Sequence, residues 1–133
     1  MPATYTLISS NVLSSSAASV TFSSIPATYT DLVIRYSART DNASNGTSVV
    51  VQFNGDTATN YSHILLTGNG SAASSSLSSS TATAYFGRAD AANATTNTFG
   101  NSEIYIPSYI ASQNKPISTS SAIESNAATG YNI

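Results

Sequence analysis

A chain of 133 residues with four basic and six acidic side chains, a net charge of -2 and no cysteine holds one domain with a core, and excludes disulfides and thiolate metal sites. Charged residues make up only 8%, so the polarity comes from Ser, Thr and Asn, and the near-neutral balance excludes the high net charge of a disordered chain. Four scattered cations (Arg35, Arg39, Arg88, Lys115) and a pI near 4.9 exclude the basic footprint of a nucleic-acid binder, and no stretch approaches the roughly 18 apolar residues of a membrane span.

In chain order, MPATYTLISS has neither a basic n-region nor an apolar run of signal length, so the expectation is a soluble protein not exported by an ordinary signal peptide. Candidate strands fall at 4–9 and at 18–24, where Val20 and Phe22 alternate with Thr21 and Ser23. Past Pro26 a strand reads over 31–40, with Leu32, Ile34, Tyr36 and Ala38 of DLVIRYSAR on one face and Val33, Arg35, Ser37 and Arg39 on the other. DNASNGT (41–47) reads as a loop, and Val49, Val51 and Phe53 alternate with Val50, Gln52 and Asn54 in a strand over 47–54. Asn54-Gly55 supplies the positive φ angles of a tight turn. A strand at 61–67 follows, after which the serine-rich 71–80 and the segment ADAANATTNT (89–98) read as long mobile loops. Strands at 82–88, 99–106 and 117–124 complete a set of eight, with Pro107 and Pro116 at the ends of runs. ESNAATGYNI reads as the start of a further strand, whose partner comes from another chain or from a longer version of this one. No segment carries a capped helical period. The expectation is a single antiparallel two-sheet β-sandwich spanning 1–133, jelly-roll-like, completed by a further strand or by a partner chain.

Reactive groups are few. His63, in NYSHILL, lacks a nucleophile elbow to serve, since GNGSA misses the spacing of G-x-S-x-G. The acids Asp31, Asp41, Asp56, Asp90, Glu103 and Glu124 are expected at strand ends and in loops, solvating edges and starting turns, with no spacing that suggests a glycosidase pair. DNASNG begins like a calcium loop but has Ala43 third and Gln52 twelfth, so no metal or cofactor is expected. Five N-x-S/T sequons, at Asn42, Asn45, Asn60, Asn69 and Asn93, mark polar loops. Eight tyrosines and no tryptophan leave Tyr29, Tyr61, Tyr85, Tyr105 and Tyr109 as candidate contacts to a neighbouring subunit or to sugar rings; the plainer alternative is that they cap the core with wet hydroxyls.

The order LISS…SVTFSSIPATYTDLVIRYSAR, then VVVQFNGDTATNYSHILLTGNG, then TNTFGNSEIYIPSYIASQNKPISTSSAIESN resembles short virion proteins of tailed phages, notably of marine and freshwater bacteria, over nearly the whole chain. Its most specific pieces are SIPATYTDL, FNGDTATNYS and EIYIPSY. The resemblance implies a non-enzymatic β-module on the virion surface, a capsid decoration or head-fibre protein or else part of a tail fibre, with no catalytic residues to carry over. It implies assembly in the host bacterial cytoplasm, other virion proteins and further copies of itself as partners, a homotrimer by analogy, and, in the tail-fibre alternative, a host surface glycan. An enzyme, nucleic acid and membrane are not part of that expectation.

Overall fold

The computed structural model describes residues 5–43, 46–124 and 131–132. Its strands are β1 (Leu32–Ala38), β2 (Thr47–Val51), β3 (Tyr61–Gly68), β4 (Ala73–Thr81), β5 (Ala84–Ala89), β6 (Gly100–Ile106), β7 (Ser118–Ile123) and β8 (Tyr131–Asn132), and the described residues contain no helix. They form an all-β sandwich of two unequal antiparallel layers, a six-stranded sheet in the order β1-β6-β7-β8-β3-β4 and the pair β2-β5. The β2-β5 pair lies over β6 and β7.

The core follows the alternation in the sequence. Phe86, Ile104 and Ile106 are buried at its centre, and Leu32, Ile34, Tyr36, Val49, Val51, Phe53, Tyr109 and Ile117 pack around them, while the out-of-phase Arg35, Val50 and Tyr105 face solvent. The Asn54-Gly55 turn forms with φ of 54° and 70°, closed by the Asp56 N–H donating to Phe53 O at 2.9 Å. Asp56 then fixes the loop beyond, accepting from the Ala58 N–H and the Asn60 amide. The turn carries the chain between layers, because β2 and β3 belong to different sheets.

Five expectations are corrected. The strand at the end of ESNAATGYNI finds its partners within this chain, because β8 pairs with β7 and β3. No residue of 5–30 joins a ladder, so neither 5–9 nor 18–24 is a strand of this chain's sheets; residue 4 lies outside the described residues. Val20 and Phe22 are exposed and pair with no strand of this chain. The serine run is β4, paired with β3 in the register Ile64↔Leu77 and Leu66↔Ser75. It is a strand because its backbone completes a ladder, with Asn69 Oδ1 accepting from the Ser71 and Ala72 N–H groups to build the turn before it. The segment 89–98 is anchored: Ala89, Asp90, Ala91 and Ala94 are buried, and the Arg39 guanidinium donates to the carbonyls of Ala92, Ala94, Thr95 and Thr98 at 2.8–3.1 Å. Finally, Glu103 lies inside β6 and not at a strand end, and Asp90, directly after β5 as expected, is 1% exposed and accepts the Glu124 N–H instead of solvating an edge. The loop at 41–47 includes residues 44 and 45, outside the described set; its ends are tied by the Thr40 and Thr47 hydroxyls, 3.0 Å apart.

Four carbonyls converging on one cation make Arg39 the organiser of that segment. Arg39→Ala should lower stability by about 2 kcal/mol, the scale of hydrogen bonds to a charged group. The urea midpoint would measure the loss, and amide exchange should accelerate selectively at 91–98. Unchanged protection there would mean that Ala91 and Ala94 packing holds the segment alone.

Candidate interaction surface

Two regions differ in chemistry: a polar seam inside the sandwich, and an uncharged, partly apolar part of the exterior formed by the arm and the β3–β4 hairpin. The seam arises because β5 has a strand neighbour on one side only. Three of its backbone groups are taken by hydroxyls of the opposite sheet. Ser102 Oγ lies 2.9 Å from Phe86 O, the Arg88 N–H donates to Ser121 Oγ at 3.0 Å, and the Tyr36 hydroxyl donates to Arg88 O at 3.2 Å. Ser102 and Ser121 are small and buried, so the layers approach closely at the point where the β2-β5 register slips by one residue between Val49 and Val50.

Burial pushes the Tyr36 phenol up from 10.0 to about 12, against the smaller opposing effect of Ser102 and Ser121. An unfolded tyrosine ionises near 10, so between pH 10 and 12 the unfolded state binds fewer protons than the folded one. The stabilisation is complete below pH 10 and lost as pH rises towards 12. Allowing for the partial exposure of the ring, the loss should be about 1–2 kcal/mol. Melting temperatures at pH 9 and 11.5 should show the drop, and Tyr36→Phe should reduce it while leaving a remainder from Tyr85, whose phenol burial also raises, and Tyr105, raised by its bond to Asp31.

The five candidate tyrosines do not share a face. Tyr105 donates to Asp31 Oδ2 at 2.8 Å on the exposed side of β6, and Asp31 also accepts the Ser108 N–H, so these two bonds, the backbone one foremost, hold its carboxyl below the ordinary 3.8. Nearby, Arg35 pairs with Glu103 at 2.6 Å, and the Tyr5 ring lies with its centroid 5.5 Å from the Arg35 guanidinium. The Tyr109 hydroxyl donates to Pro26 O, tying the N-terminal segment to the turn after β6. Tyr61 and Tyr85 lie between layers instead: the Tyr61 hydroxyl accepts the Phe53 N–H, and Tyr85 stacks on His63 at 5.3 Å between ring centres. Tyr29 is exposed in the N-terminal segment. His63 therefore packs against a ring, beside no serine or carboxylate partner in the hydrogen bonds of the described residues. Among the described residues no group of three or more His, Asp and Glu side chains is placed to hold a metal ion.

The sequence reading missed the exterior, although the signal is in the distribution of charge. All ten charged side chains lie within 31–56 and 88–124, leaving 1–30 and 57–87 without one. The first tract contributes an arm, 5–30, that exposes Leu7 at 79% and Val12 at 94%. The second contributes the β3–β4 hairpin, whose outer face exposes Ile64, Leu66 and Leu77 at 74%, 68% and 70% beside a shallow groove bordered by Ile117 and Thr119. His63 and Leu65 point to the other face, towards β5. The fold and these surfaces define a β-sandwich with an exposed N-terminal arm and an uncharged hairpin face. Comparison with family models, curated proteins and solved structures finds no match to this chain.

Proposed function

We propose that the chain is a non-enzymatic structural protein of a tailed bacteriophage, exposed on the virion as a capsid decoration or head-fibre protein. The observation that carries the reading is the pairing of an exposed, uncharged arm with an uncharged hairpin face, apolar surface that a protein standing alone rarely leaves open. Other virion proteins and further copies of the chain, as a homotrimer, would cover it after assembly in the host cytoplasm. A jelly-roll-like topology completed by a partner's strand belongs to the same reading. The acidic pI and scattered cations fit contact with protein better than with nucleic acid.

Purified particles of the encoding phage test this by mass spectrometry and cryo-electron microscopy. Many copies on the capsid lattice are the expected result, and absence from intact particles would overturn it. A location at the tail alone would favour the second reading, a tail-fibre adhesin for host surface carbohydrate. That alternative is motivated by the patch where the Tyr5 and Tyr105 rings meet Asp31, Arg35 and Glu103, since rings beside charged hydrogen-bonding groups suit sugars. It requires saturable binding of a glycan by the chain alone.

A further inference from the structure

The outer edge of β4 is unusually open. It is the last strand of the six-stranded sheet, its register slips only beyond Ser78, and 73–78 has neither charge nor proline, two of the devices that keep edges from pairing with another chain. The hairpin that carries it joins the rest of the sheet through the two-residue β8, which touches β3 at Gly68↔Asn132. The same molecule holds a segment, 18–23, that pairs with no strand of its own chain. In 18–23, Val20 and Phe22 alternate with Ser19, Thr21 and Ser23 and are exposed, and Ser24 follows with a positive φ.

We infer that residues 18–23 of one copy add as a strand to the β4 edge of a second copy of this chain, in a head-to-tail arrangement. The inference rests on the proposed role only in treating the chain as one component of an assembly. Charge permits the match, because the segment and the edge both fall in the uncharged tracts. Neither meets the other with a like charge or a buried unpaired one. Geometry selects a second copy. The arm is held through Tyr5 against Arg35 of β1 and Pro26 against Tyr109, just after β6, whereas β4 is the opposite edge, four strand spacings from β6. At about 4.8 Å per spacing that is roughly 19 Å. Phe22, four residues from Pro26, reaches about 14 Å at full extension, short of its own chain's β4. Added to a neighbour, the segment would gain ladder hydrogen bonds and set Val20 and Phe22 on the face of Leu77. A contact between two different patches is heterologous, so repetition closes a ring or grows a fibre.

Light scattering on the full chain should give a multiple of 13.6 kDa, and Leu77→Lys should return the single-chain mass with an unchanged circular dichroism spectrum. Because the chain has no cysteine, Val20→Cys protein mixed with Ser75→Cys protein should form a mixed disulfide, well above the yield with Ser48→Cys on β2. A wild-type chain that is monomeric throughout the micromolar range, or a mixed disulfide no more abundant than that control, overturns the inference. Single copies on phage particles would overturn this pairing and leave the structural role standing. A strong mixed disulfide from a protein absent from particles would do the reverse.

Discussion

Gly87→Ala is expected to remove about 4 kcal/mol, much of the stability of a domain this size. Gly87 sits in β5 at φ +126°, where an L side chain is strained whatever the space around it. A Cβ there would lie 2.8 Å from Ser121 Cβ, Ser121 Oγ and the Tyr36 hydroxyl. Both hydroxyls already bind β5, so the methyl group would press on the seam that satisfies the Arg88 backbone. Strain and overpacking each cost roughly 1–3 kcal/mol and act together here. Urea denaturation gives the number, with Gly68→Ala as the reference, because a Cβ at Gly68 meets nothing within 4 Å and should change stability little. Equal effects at the two sites would refute the account of the seam.

Ile104→Ala should be nearly as severe, at roughly 3–5 kcal/mol. Its side chain is fully buried in the centre of β6, with Ile34 opposite on β1 and Thr119 on β7, and it packs with Phe86 and Ile106 under the β2-β5 pair. In so small a core the surrounding side chains have little room to close the cavity. Ile104→Val, which removes one methylene, should cost about 1 kcal/mol, so the two variants form a graded series by urea midpoint. A loss below 1 kcal/mol for alanine would mean that the layers collapse onto the void.

The core was legible in the sequence because a half-buried strand writes its burial as alternation. Leu32-Ile34-Tyr36, Val49-Val51-Phe53 and Ile104-Ile106 all face inward as their spacing requires. The same rule misled at Val20 and Phe22, which alternate equally well yet have no neighbouring strand in this chain. It failed in the other direction at Ala73–Thr81, where a ladder to β3 and almost no burial hold the strand, so nothing periodic marks it. The anchoring of 91–98 was hidden for another reason: Arg39 acts from 53 to 59 residues away, through carbonyls that carry no side-chain signature. Of the candidate tyrosines, only their amphipathic character was readable, since which rings face water depends on layer packing. The uncharged tracts were in plain view as a distribution of residues. Their meaning appeared only once the fold set one at each edge of the sheet.

The pairing of β1 with β6 also governs when this chain can fold. Arg35 and Glu103, which face each other across that pair, are 68 residues apart in sequence, and Leu32 waits for Ile106. During synthesis the β3–β4 hairpin can close as soon as it leaves the ribosome, whereas β1 remains without a mate until three-quarters of the polypeptide has been made. Contacts this remote carry a loop-closure penalty that slows the rate-limiting step, placing refolding in the millisecond-to-second range of sandwiches rather than the microseconds of helical bundles. Throughout that interval the nascent chain presents an apolar strand and a preformed edge side by side, so its yield should depend on keeping neighbouring ribosomes' products apart until the sheet has closed.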